Sequence, residues 1–252
     1  MVDWDSPAAS LGRKIYSRLS TLPHFRTSSF GSLDAEAEAA LDAATTHRLL
    51  GPNEFVYLQD DDASHLYFVR SGHVRLSYLL EDGSPILFGV LPAGQSFGEL
   101  GIFEDGQHAD MATSIGTSSV YCIPAGTFRS LRARYPALGE ALARTVAKRY
   151  RSYILLTRTL GLKTLQARLS QCLLRVADGL GDRADSSGRQ VLQVGAFVTQ
   201  SDLGLMARGA RGNVNRALKL WEREGWIAIR DRNILILDRD CLEAIALDDG
   251  LA

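Results

Sequence analysis

The chain has 252 residues, 46% of them hydrophobic, and a formal net charge of −1. That length has room for two domains and a linker, and no global charge announces a nucleic-acid partner, so any DNA contact must come from local clustering. The start, MVDWDSPAAS, is acidic with no apolar core, and no run of about 18 apolar residues follows, so neither a secretory signal nor a membrane span is expected and a cytoplasmic location is.

Residues 1–32 are expected to form an N-terminal extension with a short basic helix at Leu11–Leu19. Leu33–Ala44 is rich in Ala and Glu and predicts a helix, with Ser32 as its N-cap. From Thr46 to Pro124 the apolar period becomes two. Phe55–Leu58, His65–Val69, Val74–Leu80, Ile86–Leu91, Met111–Ile115 and Ser119–Ile123 read as short strands. Between them lie turn signals such as Gly51-Pro52-Asn53, Ser71-Gly72 and Glu81-Asp82-Gly83. Short strands punctuated at this spacing indicate an antiparallel roll, barrel or sandwich. Gly98, Glu99, Leu100 and Gly101 interrupt that pattern inside FGELGIFEDG, a glycine-rich loop able to present N–H groups and a carboxylate to a ligand. Phe128–Arg134 predicts a short helix.

Pro136–Leu160 predicts a helix of about 37 Å at roughly 1.5 Å per residue. Apolar or aromatic residues recur every three or four positions at Leu138, Leu142, Val146, Tyr150, Tyr153, Leu156 and Leu160. Such a helix reads either as a long core helix or, because the stripe is narrow and its flanks are charged, as a dimer seam through Leu142, Val146, Tyr150, Tyr153 and Leu156, and the seam is the reading preferred. Gly161 reads as a stop or hinge.

Beyond it, Lys163–Ala177 predicts a helix and Gly179–Gln190 a polar loop. Thr199-Gln200-Ser201-Asp202 resembles a capping box, with Asp replacing Glu or Gln. A turn at Arg208-Gly209-Ala210 leads into a helix over Arg211–Glu224. There Val214, Leu218 and Trp221 share one face, while Arg211, Asn215 and Lys219 share another, flanked by Asn213 and Arg216. Arg can meet guanine bidentately and Asn adenine, and their clustering at a helix start is how a recognition helix meets the major groove. Ile227–Arg230 and Ile234–Leu237 predict a hairpin, or wing, whose Arg230 and Arg232 would hold phosphates. Asp238 reads as the N-cap of a final helix, Arg239–Ala246.

FGELGIFEDG resembles the phosphate-binding cassette of cyclic-nucleotide-binding domains. With the strands before it and the long helix after, residues 45–245 resemble the bacterial cyclic-AMP receptor and fumarate-nitrate regulator superfamily of transcription factors. The resemblance implies an α+β chain: an eight-stranded β-roll (33–135), a dimerisation helix and hinge (136–161) and a winged helix-turn-helix (162–252). It implies double-stranded DNA, a second copy of the chain and RNA polymerase as partners, and a small-molecule effector. In the recognition helix Arg211 and Arg216 occupy the family's two arginine positions, and Gly212 replaces its frequent Glu. In the sensor, Ala109 and Asp110 stand where the family holds the cyclic phosphate with Arg and Ser or Thr. Tyr153 and Ile154 stand where hydroxyl side chains meet adenine, and Phe88 and Gly89 fall on the pocket wall. His108 borders this pocket and is expected to meet an anion or sense pH. The implied reading is a regulator whose effector is not cyclic AMP, or a dimer competent for DNA without one. A ligand-sensing module acting on a protein partner is the alternative. A haem or redox sensor is disfavoured by the scattered His and Cys, which give no metal, haem or iron–sulfur signature. No nucleophile elbow or Walker loop suggests an enzyme.

Overall fold

The computed structural model describes residues 30–104, 106–186 and 188–247. The expected helix at Leu11–Leu19 lies outside the described residues. The first helix, α1 (Ala35–Ala43), is capped by Asp34, whose carboxylate accepts from the Ala37 N–H at 2.7 Å. Ser32 is not the cap; its hydroxyl accepts from Arg144 on the long helix instead.

Six strands make one antiparallel sheet: β1 (Thr46–Leu50), β2 (Phe55–Tyr57), β3 (His65–Leu79), β4 (Pro85–Pro92), β5 (Ser96–Phe97) and β6 (Met111–Pro124). The order is β1-β6-β3-β4, with β2 added on β6 and β5 on β3. Two pairs of expected short strands are each one long strand. Ser71-Gly72 is no turn but a bulge, where the β3–β6 register shifts and the strand bends while staying paired. Strand β1 was not anticipated because His47 and Arg48 are buried in it, which breaks the alternation. Arg48 Nη1 and Nη2 donate there to the carbonyls of Val56 and Phe55, at 2.9 and 2.6 Å, and to Glu54, while its Nε is buried without a partner. The cassette is not all loop: α2 (Leu100–Phe103) forms one short turn within it.

Helix α3 (Ala125–Arg134) leads to α4 (Pro136–Leu160), at the predicted bounds. The α4 stripe faces inward. Leu138, Ala141 and Leu142 are fully buried against Phe30, Phe68, Ile123 and Phe128 of their own chain. Leu156 is buried too. Leu142 and Leu156 therefore cannot form a seam with another copy, and that expectation is corrected. Ala143, Ala147, Tyr150 and Ile154 are the exposed positions at helical spacing, with Val146 half-buried beside them. The sequence stripe had merged two faces of one helix.

The C-terminal part comprises α5 (Leu165–Leu180), β7 (Asp182–Ser186), β8 (Arg189–Val194), α6 (Gln200–Ala207), α7 (Arg211–Arg223), β9 (Ile227–Arg230), β10 (Asn233–Ile236) and α8 (Arg239–Leu247). The stretch expected as a polar loop is instead the β7–β8 hairpin of a four-stranded sheet, β7-β8-β10-β9. Its edge strand, DRADS, is polar on both sides and carries no alternation to read.

One apolar cluster ties the two parts together. Leu87 and Val90 of β4 belong to the same core as Leu173, Leu203, Leu218 and Trp221. Burying a side chain like Leu87 contributes about 1.5–3 kcal/mol. An ion pair crosses the same junction: Arg75 on β3 donates to Asp202 on α6 at 2.6 and 3.2 Å. Beside it His73 stacks on Phe197, ring centroids 3.9 Å apart. No helix among the described residues is long and apolar enough to cross a membrane.

Candidate nucleic-acid interface and effector pocket

The reading end is built on a tight turn. Thr199 caps α6 and Asp202 returns the bond, so the capping box is complete despite the shorter acid. The α6 helix ends at Arg208 in a left-handed conformation, φ 49°. Gly204 lets the turn close, since a Cβ there would lie 2.6 Å from the Gly209 carbonyl oxygen. Helix α7 then buries Val214, Ala217, Leu218 and Trp221. Arg211, Gly212, Asn213, Arg216 and Lys219 are exposed on the other side, and Asn215 is half-buried. Arg216 already donates to the Asn213 side-chain oxygen, so the two form one polar unit. Ala210 gives no side-chain cap, which leaves the first N–H groups of α7 open to an anion. At the wing, Asp231 and Arg232 both have positive φ, 50° and 66°, as a two-residue hairpin turn requires. Arg230 and Arg232 are exposed at its tip.

The sensing end brings together a different set. Glu99 is 7% exposed. It pairs with Arg149 of α4, Nε to Oε1 at 3.1 Å, while Arg149 also donates to the Ser96 carbonyl at 2.5 Å. The other Glu99 oxygen, Oε2, is buried without a partner. Arg149 is not among the site residues expected from the sequence. Its spacing held the signal: it follows Leu142 by seven residues and precedes Leu156 by seven, so a cation stands on an inward stripe and needs a buried partner.

Asp110 accepts from the Tyr57 hydroxyl at 2.9 Å. Burial raises its carboxyl to a pKa of about 6, against the opposing pull of Tyr57 and Arg149. His108 is buried and stacks on Tyr57 with ring centroids 3.5 Å apart. Burial lowers its pKa to about 4, and Nε2 has no partner. At neutral pH this favours the uncharged ring, which still has one N–H to offer.

Five other expected pocket residues, Gly98, Leu100, Gly101, Ala109 and Ile154, do not line the cleft that Phe88, Gly89 and Tyr153 form. Ala109, Leu100 and Ile154 are exposed, and Ile154 is on the outer face of α4. Gly101 is buried against Ala63, too close for any Cβ. Gly98 has φ 74°, and a Cβ there would lie 2.9 Å from the Tyr67 ring, so glycine is needed to shape the cassette. Phe88, Gly89 and Tyr153 do meet, around a cleft of ≈ 260 Å³ that Arg149 also lines. The Phe88 and Tyr153 rings are 5.2 Å apart, and burial pushes the Tyr153 hydroxyl up to about 12.

Comparison with known proteins agrees with this layout. Residues 47–135 match the cyclic nucleotide-binding domain family, and residues 167–245 match the Crp-like helix-turn-helix domain. The chain is 27% identical over 222 residues to the "CRP-like cAMP-activated global transcriptional regulator" of Mycobacterium tuberculosis, covering 86% of this chain and 95% of that protein. It is similar to the crystal structure of a CRP-family transcriptional regulator from Thermus thermophilus, TM-score 0.64 and 28% identity, covering 79% of this chain and 96% of that one. FixK2 from Bradyrhizobium japonicum shares the fold, TM-score 0.68 at 23% identity over 80% of this chain and 96% of that one. A sensor of the cyclic-nucleotide type, a long helix and a Crp-like helix-turn-helix thus follow one another in a single chain, which belongs to the cyclic-AMP receptor and fumarate-nitrate regulator superfamily of transcription regulators.

Proposed function

We propose that this regulator works as a homodimer that reads duplex DNA through α7 and the β9–β10 wing, and that its sensor does not take cyclic AMP tightly. The observation that carries the DNA reading is the division of α7 into a buried apolar face and an exposed face holding Arg211, Asn213, Arg216 and Lys219. A module acting only on a protein partner would not need that face beside an arginine-tipped wing. For the dimer we take the outer stripe of α4, Ala143, Ala147, Tyr150 and Ile154, as the seam; small residues at its start suit close helix approach. Two copies would place the α7 helices in successive major grooves about 34 Å apart. Selection from random DNA is the test. A two-part site is expected with wild-type protein and none with Arg211→Ala/Arg216→Ala; identical sites from both would remove α7 from the groove.

The effector reading rests on Ala109, which replaces the family's phosphate-binding arginine and is exposed. Losing a charged hydrogen-bond partner costs about 1.5–3 kcal/mol. The remaining cation, Arg149, is engaged by Glu99 and Ser96. Asp110, ionised above its raised pKa of about 6, adds repulsion of roughly 1–4 kcal/mol if a phosphate comes within about 4 Å. Calorimetry at pH 8 is expected to show no micromolar dissociation constant for cyclic AMP or cyclic GMP, and one would overturn this reading.

A further inference from the structure

One side of the cassette is apolar and uncovered. Leu100 and Phe103 stand three residues apart on α2, which puts them on one face of its single turn. They are 43% and 52% exposed. Phe103 is that open even with the Arg132 guanidinium over its ring, 5.6 Å from the centroid. The other side of α2, Gly101 and Ile102, is buried. A lone exposed apolar side chain is ordinary, but two on one turn make a patch that a neighbour would cover.

The rim of this patch is acidic. Gly101 packs on Ala63, whose N–H donates to the Gly106 carbonyl at 2.9 Å, and Asp62 pairs with Gln107. The exposed Asp60, Asp61 and Asp62 therefore run beside the segment that leaves α2 with the exposed Glu104. No lysine or arginine among the described residues pairs with Asp60, Asp62 or Glu104. A second copy of this face, or a nucleic acid, would bring like charge against it.

The chain carries the complement of this surface in the residues before Phe30. Ser6 to Ser29 contains no Asp or Glu, and Arg13, Lys14, Arg18 and Arg26 are cations. Leu11, Ile15, Leu19 and Leu22 recur at helical steps, with Lys14 and Arg18 along one flank of that stripe. The anchor is close to the patch. Phe30 is 1% exposed and shares one apolar cluster with Ile102 of α2 and Phe128 of α3. The ten residues between Leu19 and Phe30 span at most about 36 Å, ample to lay the stripe on α2 beside that cluster.

We propose that Leu11–Leu22 docks as an amphipathic helix on α2 of its own chain. Its apolar stripe covers Leu100 and Phe103, and Lys14 and Arg18 face the acidic rim. The surface is thus an internal interface that braces the outer turn of the cassette, whatever the sensor binds. A short tether gives an effective concentration of roughly 1 mM, so a contact of only about 0.1 mM affinity would favour the docked form about tenfold.

The test is amide hydrogen exchange of the full-length protein at low salt, read by mass spectrometry. Residues 12–22 should exchange about tenfold slower in the wild type than in Ile15→Asp, and the peptide over Leu100–Glu104 should exchange faster in that variant. Charge then locates the contact. Lys14→Glu/Arg18→Glu should remove the protection, and adding Asp62→Lys/Glu104→Lys should restore most of it. All five substituted positions are exposed or precede Phe30, so the core is untouched. Free-chain exchange of residues 12–22 in the wild type overturns the proposal. So does protection that survives Lys14→Glu/Arg18→Glu, or that the combined variant fails to restore, since the segment would then sit elsewhere. Protection that falls on dilution overturns it too, because the segment would belong to another copy.

Discussion

The two ends of this chain handle charge in opposite ways. On α7 the side chains of the reading face stand in solvent above a buried apolar face, and Arg216 bonds within its own helix, to Asn213. Around the cassette, Glu99, Arg149, Asp110 and His108 are drawn inward, and most of their contacts are with one another or with buried aromatics. The reading end is thus a rigid element with its chemistry displayed. The sensing end is a network in which chemistry and packing are the same atoms. Substitutions should separate the two: at the reading end they alter binding and spare stability, at the sensing end they alter stability first.

The largest expected effect on binding is at the reading end. Arg211→Ala and Arg216→Ala should each remove about 1–3 kcal/mol of discrimination between operator and random DNA. Exposed substitutions of this kind move stability by only about 0.5 kcal/mol, so the melting temperature should hold. Competition binding at fixed salt, beside a thermal melt, measures both. A large fall in melting temperature would break the contrast, because α7 would then be structural on its outer face as well.

The long helix carries both behaviours on two faces, and comes next. Leu142→Ala should cost about 2–5 kcal/mol of stability, the range for emptying a packed core site. Tyr150→Asp, on a side chain 65% exposed, should leave the fold intact and turn the dimer into monomers. Denaturant titration and sedimentation of the two variants answer separately. Monomers from Leu142→Ala with unchanged stability, or a dimer that survives Tyr150→Asp, would return the seam to the inner stripe.

That helix also shows what the sequence discloses. Periodicity located α4 from end to end, because a helix's bounds follow from its own residues. It did not say which of two adjacent stripes faces inward, because that depends on Phe30, Phe68 and Phe128. The same division holds elsewhere. The α7 faces, the capping box at Thr199 and Asp202 and the wing were legible, since each is local. The Glu99–Arg149 pair joins side chains from separate elements, and the apolar seam of Leu87 and Val90 with the reading half joins parts still further apart. The β7–β8 hairpin was missed for another reason: its edge strand buries almost nothing, so selection for alternation is absent there.

A smaller effect is expected at Asp110. Its folded pKa of about 6 lies above the ordinary 3.8. The fold therefore favours the protonated acid, a contribution complete below the ordinary value and lost as pH rises through about 6. Asp110→Asn keeps an oxygen for the Tyr57 hydroxyl and removes the charge. It should gain about 1–2 kcal/mol at pH 8, allowing for partial solvent screening, and nothing near pH 3. Denaturation midpoints at the two pH values decide it. Equal gains at both would show that the carboxyl is not held in its acid form.

The smallest effect belongs to the wing, which is proposed to hold phosphate rather than bases. Arg232 sits in the tight turn between β9 and β10, exposed and with φ 66°. It lies outside α7, in the wing, where it would touch backbone oxygens, which are the same in every sequence. Each phosphate neutralised releases about 0.9 counterion from duplex DNA. Arg232→Ala should therefore lower the slope of log affinity against log salt by about one, for operator and random DNA alike, and leave their ratio unchanged. Arg211→Ala should do the reverse, shifting the ratio at every salt concentration. If Arg232→Ala also changes which base pairs are preferred, the wing reads sequence, and the division between display on α7 and anchoring at the wing fails.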